Sequence, residues 1–461
     1  MPSVQKKKSY LLLNKLSPHQ ALLLYYLAGI LLGTGLLMLP AASQTNALPF
    51  LDALFTATSA QCVTGLAVVD TGSQFTSFGQ IVILILIQIG GLGITTFSVY
   101  LFYYLRLGVG HRGRMLIHET LLHSPIDSVQ GLIRDILMLT VAIEGLGAFI
   151  LGWSFVPEFG WLKGTYYAIF HAISAFCNAG FALFPDSLCR YSTSPLVNIT
   201  VMGLITLGGI GFLVMRELLG LLRPASRARR RLTLHTRLVL WTSLALTVGG
   251  AAALYLLESS AALKGLGGME RMWVALFQSV TARTAGFNTI DLGILEIPSL
   301  IVVMFLMFIG ASPGSSGGGI KTTSLALFVA ILHSRLKGNP HTNIFHRTIP
   351  AEAETKTLSL VMLAMLILGL ATFTLLTIQV GGLSFSASRG AFMDFVFEAV
   401  SAFGTVGLTV GGSAKLLPAG KLLIILLMFV GRVGLLTVAF AILQRRREHA
   451  LRYAEENIMI G

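Results

Sequence analysis

Charged residues make up only 11% of this 461-residue chain, and cysteine occurs three times. A soluble domain carries about a quarter charged residues. A chain this poor in charge has too little to cover itself with hydrated surface, which excludes an ordinary water-soluble enzyme or binding module. Three cysteines exclude a disulfide framework, and none stands at zinc-ligand spacing. No HExxH, GxSxG or paired acidic motif lies at a membrane boundary, which leaves a membrane enzyme without its chemistry. The first apolar run, about 21–39, has no small-x-small exit and is long enough to remain in a bilayer, so it does not read as a cleavable signal.

What the chain has in abundance is apolar surface: 54% hydrophobic residues and a mean hydropathy of +0.78. Its solvent is largely lipid. The net charge of +13 does not point to nucleic acid, because of where the basic residues fall. Of 33 Lys and Arg, 23 sit in short stretches between apolar spans, such as Lys6, Lys7, Lys8, Arg112, Arg114, Arg216, Arg229, Arg230, Arg231, Arg335, Lys356, Arg445 and Arg446. Threading the spans puts all of these on one side, which by the positive-inside rule makes both termini cytosolic. Anionic lipid headgroups or an acidic partner surface are sufficient targets.

A span needs about 20 apolar residues at a 1.5 Å rise to cross a roughly 30 Å hydrocarbon core. Eight stretches qualify: 20–40, 79–105, 132–156, 196–222, 236–257, 298–333, 357–380 and 420–444. Between the members of each successive pair lies a shorter apolar stretch, at 50–61, 164–176, 270–282 and 391–403. These are too short to span and too apolar for a solvent loop, so they are expected to dip in and return. Irregular backbone at membrane depth survives only where protein buries it or where it lines a water-filled path.

The four short stretches are alike. They read ALFTATSAQCVTGL from Ala53, AIFHAISAFCNAGF from Ala168, ALFQSVTARTAGF from Ala275 and FVFEAVSAFGTVGL from Phe395. Each has a Phe (Phe55, Phe170, Phe277, Phe397), a hydroxyl four residues later (Ser59, Ser174, Thr281, Ser401) and a lone Gly (Gly65, Gly180, Gly286, Gly407). The third copy is one residue shorter between hydroxyl and glycine, and its local geometry is expected to differ. The spans that follow share glycines at mid-helix, around Gly90, Gly208 and Gly431; in the third repeat that site has swollen into FIGASPGSSGGGIKTTS. Such internal duplication sets the architecture. The expected fold is an all-α polytopic membrane protein of four tandem helix, half-helix, helix repeats. Eight transmembrane helices and four re-entrant loops would surround one pseudo-four-fold pore. The repeats divide at 1–110, 111–235, 236–350 and 351–461.

Four half-helices about one axis would aim their unpaired C-terminal carbonyls at a common centre, which favours a cation. The extended stretch after each would offer carbonyls that replace a hydration shell, as in a potassium-type filter. Glycine suits such a stretch because it accepts φ > 0 and lets neighbouring carbonyls face the same way. The candidate ion-binding residues are Val63, Thr64, Gly65 and Leu66; Asn178, Ala179, Gly180 and Phe181; Thr284, Ala285, Gly286 and Phe287; and Thr405, Val406, Gly407 and Leu408. The hydroxyls of Thr64, Thr284 and Thr405 would add neutral ligands. None of these sixteen candidate filter residues is Asp or Glu, so a weakly held monovalent ion fits better than a divalent one.

The pattern CVTGL, CNAGF, RTAGFNT and GTVGLT resembles the Trk/Ktr/HKT superfamily of potassium transporters over essentially the whole chain. SPGSSGGGIKTT from Ser312, Arg432 in the last span, and a start directly at the first repeat are similar to its bacterial KtrB branch. The resemblance implies potassium uptake, often sodium-dependent, in the bacterial cytoplasmic membrane. It also implies a homodimer with one pore per subunit and a cytosolic ring of nucleotide-binding RCK (KTN) domains. Any nucleotide would belong to that ring and not to this chain. A sodium/potassium carrier with alternating access is the alternative; it would use inverted repeats and intramembrane carboxylates.

Two gating elements are expected. Pro313, Gly314, Gly317, Gly318 and Gly319 cannot continue a helix; with Ser312 and Lys321 they would form a plug below the filter, Lys321 reaching toward water. Arg432 lies deep in a span and should face a pore or a carboxylate, Glu144 among the candidates. Arg283 should tie down the third pore loop through carbonyls, and Glu398 should hold the loop behind the fourth. Asp52 and Asp394 read as helix caps, and Cys62 and Cys177 as packing.

Overall fold

The computed structural model describes residues 18–44, 47–92, 129–222 and 232–442. The basic stretches at 6–15, 106–114, 223–231 and 445–452, and both termini, lie outside the described residues. Among the described residues, four single helices are long and apolar enough to cross a membrane: α1 (Pro18–Leu37), α4 (Val129–Phe159), α8 (Leu234–Glu258) and α12 (Ala351–Val380). Each opens one of the expected repeats. Each exposes large apolar side chains, Leu32, Trp153, Leu256 and Phe373 among them, as a lipid-facing helix should.

A shorter helix follows each of them: α2 (Phe50–Gln61), α5 (Trp161–Phe176), α9 (Gly268–Thr281) and α13 (Phe385–Gly404). The matched Phe55, Phe170, Phe277 and Phe397 are each fully buried, so the sequence register of the four copies is also their packing register. Ion pairs anchor two of these helices. Asp52 meets Lys421 at 2.5 Å, and Asp394 meets Lys415 at 2.7 Å. Asp52 lies in the first turn of α2, but its side chain caps no backbone N–H. Asp394 is not a cap at all. FSASRGAFMD holds one glycine, Gly390, which costs a helix about 1 kcal/mol without ending it, and α13 starts at Phe385 with Ser384 as its N-cap residue.

The second helices of the second and fourth repeats differ from the sequence expectation, which has continuous spans at 196–222 and 420–444 and a break only at 311–323. All of the later three are interrupted. Helix α6 (Pro195–Ile210) and α7 (Phe212–Leu222) meet at a 104° bend on Gly211. Helix α14 (Pro418–Val433) stops at Gly434 before α15 (Leu435–Ile442). Gly211 and Gly434 both have φ of +92°. That conformation is open to glycine and strained for any residue with a Cβ. In the third repeat, α10 (Ile297–Phe308) and α11 (Thr322–Leu336) flank the proline- and glycine-rich loop. In the first, α3 (Ser77–Gly91) runs to the limit of the described residues.

The kink at Gly434 makes a stability prediction. Gly434→Ala should cost about 1–3 kcal/mol through backbone strain alone, read as a lowered Tm in detergent. Its surroundings are open, the nearest atom to an added methyl being Thr437 Oγ1 at 3.9 Å. A parental Tm would mean that the kink is not held at this φ.

Candidate functional site

The site is built from what happens after each half-helix ends. Two residues before each lone glycine, Val63, Asn178, Thr284 and Thr405 take left-handed backbone, with φ of 55°, 59°, 75° and 50°. None is glycine; Asn178 tolerates this conformation, but the β-branched Val63, Thr284 and Thr405 do not adopt it without being held there. The glycines follow with φ of 89°, 69°, 80° and 92° for Gly65, Gly180, Gly286 and Gly407. One backbone course is therefore repeated four times.

The hydroxyl residue of each copy fastens its turn, in two ways. Gly65 N–H donates to Ser59 Oγ, and Gly407 N–H to Ser401 Oγ, both at 3.1 Å. Ser174 Oγ and Thr281 Oγ1 instead donate to the carbonyls of Phe181 and Phe287, both at 2.8 Å. The shorter third copy differs as expected. Ala285 N–H closes on Thr281 O at 2.9 Å, four residues back, where Thr64, Ala179 and Val406 close five back on Ser59, Ser174 and Ser401. A tighter turn absorbs the missing residue.

The four turns meet in a closed cycle. A methyl group on Gly65 would overlap the Ala179 carbonyl oxygen and lie 3.1 Å from Gly180 Cα. One on Gly180 would lie 2.8 Å from Ala285 O and 2.9 Å from Gly286 Cα. One on Gly286 would overlap Val406 O and lie 3.3 Å from Gly407 Cα. One on Gly407 would overlap Thr64 O and lie 2.9 Å from Gly65 Cα, which returns to the start. Each glycine abuts the next repeat in order, an arrangement that four segments reach only around one axis. A family model for TrkH, described as a cation transport protein, matches residues 24–449.

The chain belongs to the TrkH family.

It is 40% identical to the Ktr system potassium uptake protein B of Bacillus subtilis (strain 168), with 97% of each chain covered. It is 38% identical to the potassium/sodium uptake protein NtpJ of Enterococcus hirae, over 97% of this chain and 98% of the relative. Among solved structures, the potassium transporter TrkH from Vibrio parahaemolyticus superposes with a TM-score of 0.69 at 17% identity. That match covers 91% of this chain and 83% of the other, and supports the fold alone. TrkH-family proteins are transporters and not enzymes, and this one is a multi-pass membrane protein.

In this TrkH-family chain the loop between α10 and α11 lies against the turns of its own repeat and of the fourth, and against α6 and the end of α5 in the second. Ser312 N–H donates to Gly209 O at 3.0 Å and Ser316 N–H to Gly208 O at 3.2 Å, both in the second repeat. Ser316 Oγ also reaches Phe176 O, at the end of the second half-helix, at 3.2 Å. Gly317 backs onto Thr284 so closely that a Cβ would overlap its hydroxyl, and Gly318 N–H donates to Thr405 Oγ1 at 3.1 Å. Pro313 and Gly314, the latter at φ 71°, turn the chain over Gly211, and Gly319 at φ 65° returns it to Ile320, which bridges to Ile309. Read as letters, Gly310–Ala311–Ser312–Pro313–Gly314 matches the nucleophile pattern G-x-S-x-G. Ser312 Oγ is bonded instead to Thr322 Oγ1 at 2.9 Å.

Arg432 is buried and joins this loop to the first repeat. Its guanidinium donates to Ser316 O and to Gly90 O, and Nε to Tyr26 Oη at 3.3 Å. Among the described residues no carboxylate pairs with it. Glu144, the partner suggested by sequence, is engaged by Gln88 Nε2 at 3.2 Å and lies 3.8 Å from Cys177 Sγ. Lys321 does not extend toward water as expected; Nζ turns back onto Gly317 O at 2.6 Å and Gly318 O at 3.4 Å. Arg283 is buried with no hydrogen-bond partner for Nε, so the expected tether is not made there.

The three threonine hydroxyls fare differently. Thr405 Oγ1 is taken by the loop, and Thr284 Oγ1 lies 3.3 Å from the Asn178 amide. Thr64 Oγ1 is buried without a partner among the described residues. The glycines of the second helices stand out in the sequence, but their use does not. A Cβ at Gly90, Gly208 or Gly431 would overlap the carbonyl oxygen of Gln61, Phe176 or Phe403, near the end of the same repeat's half-helix. These glycines are the seats on which three of the half-helices rest.

Proposed function

We propose that this chain takes up potassium through a pore whose selectivity filter is the ring of four glycine turns. The closed cycle of contacts among Gly65, Gly180, Gly286 and Gly407 carries the reading. Alternation of positive and negative φ through Val63–Thr64–Gly65 and its three counterparts supports it, because such alternation turns successive carbonyls to one side. Carbonyls from four repeats then substitute for the ion's water, and neutral oxygens hold a monovalent cation weakly enough to release it. The sixteen residues named from sequence, four per repeat, line this path. The potassium uptake proteins to which the chain is similar support the choice of ion, and NtpJ, named for potassium and sodium, makes sodium dependence part of the same question.

Ser312–Gly319, Lys321 and Arg432 form the gate in this reading. The loop lies where the half-helices end, is joined to the first repeat through Arg432, and is latched by two tethered cations. A cytosolic nucleotide-binding ring controls it, the chain is a homodimer in the bacterial cytoplasmic membrane with cytosolic termini, and basic loops meet anionic lipid. Similarity to Ktr system proteins supports the partner subunit. The alternating-access carrier has less support, since the ring contacts are made by backbone and not by carboxylates.

Cells lacking their own potassium uptake systems test the reading. The parent chain, expressed with its regulatory partner, should restore growth on limiting potassium, and added sodium should be varied in the same assay. Gly286→Asp should abolish rescue at equal membrane abundance. Rescue by Gly286→Asp at the parental rate would sink the filter.

A further inference from the structure

One position in the half-helices carries a polar residue in every copy. The residues immediately after the matched phenylalanines are Thr56, His171, Gln278 and Glu398. All four are 2% exposed or less. An apolar residue would fill the same space, and a buried polar group is costly unless it is hydrogen-bonded. What these groups bond to is therefore informative.

Three of them leave their own helix and reach the segment that follows the glycine turn. His171 Nε2 accepts from Leu183 N–H at 3.3 Å, three residues after Gly180. Its Nδ1 faces Tyr167 O at 2.7 Å, so Nδ1 carries the hydrogen and Nε2 offers the lone pair. The ring stacks on Phe184, centroids 4.7 Å apart. Gln278 Nε2 donates to Thr289 Oγ1 at 3.3 Å, three residues after Gly286. Glu398 accepts from the hydroxyl of Thr409, two residues after Gly407, and from Ser413 N–H at 3.0 Å and Ser413 Oγ at 2.7 Å. Thr56 alone turns back, donating to Asp52 O of its own helix at 2.9 Å.

An imidazole, an amide and a carboxylate thus make the same connection from the same place in three repeats. We infer that His171, Gln278 and Glu398 are positioning residues, three struts that fix the outgoing arm of each glycine turn against its half-helix and so set the spacing on which ion discrimination depends. The inference rests on the filter reading. Each strut spans one turn, from the half-helix to the segment beyond the glycine. With both arms fixed, the turn between them cannot widen or collapse to suit a different ion. The first repeat has no strut from this position.

The test compares potassium and sodium uptake by purified variants in proteoliposomes. His171→Ala and Glu398→Ala remove the acceptors and leave Leu183 N–H and Ser413 N–H without them. Each should lower the potassium-to-sodium uptake ratio about tenfold or more, the scale set by one unpaired buried donor. His171→Gln installs the residue the third repeat already uses, and Glu398→Gln keeps one acceptor oxygen. Both should recover to within about fivefold of the parent ratio, the scale of one net hydrogen bond of about 1 kcal/mol. Thr56→Ala should not alter the ratio. Should the alanine variants fail to accumulate, His171→Asn and Glu398→Asp, which keep the polarity but shorten the reach, must show the loss instead. Parental ratios in the shortened or alanine variants, or equal damage in the glutamine variants, would overturn the struts. If Gly286→Asp also left uptake intact, the filter reading itself would fall; if only the strut variants were silent, the filter would stand without them.

Discussion

Gly407→Ala is expected to cut potassium uptake about a hundredfold or more, while Gly369→Ala leaves it unaffected. Two effects act at Gly407. At φ +92° a residue with a Cβ is strained by about 1–3 kcal/mol. The methyl would also overlap the Thr64 carbonyl oxygen and sit 2.9 Å from Gly65 Cα. Both neighbours are backbone of the ring, so the clash is relieved only by moving the atoms proposed to hold the ion. Gly369, within α12, has nothing within 4 Å of an added methyl and lacks the positive φ. Tracer rubidium uptake at equal membrane abundance reads the difference. A Gly407→Ala variant at the parental rate would mean that the contact between the fourth and first repeats is not part of the path.

Loosening the loop should have the opposite sign. Arg432→Ala removes the donors to Ser316 O and Gly90 O, bonds from a charged group that contribute about 1.5–3 kcal/mol each. A net loss of about 2 kcal/mol shifts a two-state loop roughly thirtyfold toward its released form. Uptake without the regulatory partner should therefore rise about tenfold, allowing for rehydration of the freed carbonyls. Deleting 314–319 should raise it further, because the contacts to Gly208, Phe176 and Thr405 go as well. Unchanged or reduced partner-free flux in both variants, at normal abundance, would count against the loop as a gate.

Much of this is legible in the sequence, for a physical reason. An apolar stretch of 12 or 13 residues, too short to span and followed within a few residues by a lone glycine, leaves a short list of uses, and the same arrangement appears four times. The register of Phe55, Phe170, Phe277 and Phe397 carries directly into packing, because each occupies the same buried site in its repeat. The kinks at Gly211 and Gly434 are not legible. A glycine inside an apolar run is compatible with a continuous helix, and only the packed surroundings select φ > 0.

The partners of Arg432 are hidden for a different reason. A buried arginine suggests a carboxylate, and Glu144 is available. Backbone carbonyls satisfy the guanidinium instead, and carbonyls carry no sequence signature. Asp394 reads wrongly as a cap because the likeness among the four copies begins near it; the helix itself starts nine residues earlier, where no repeat pattern marks it. The strut position is visible as Thr, His, Gln and Glu in one column, yet nothing in those four letters tells that three of them reach across the turn.

The central claim is that four turns from one chain coordinate a single dehydrated cation. Crystals of the protein grown in rubidium or thallium salts test it by anomalous diffraction. A peak is predicted on the axis enclosed by the carbonyls of Thr64, Ala179, Ala285 and Val406, lost when potassium replaces the heavier ion. Ordered ring density with no peak inside it, and the ion bound elsewhere, would contradict the account.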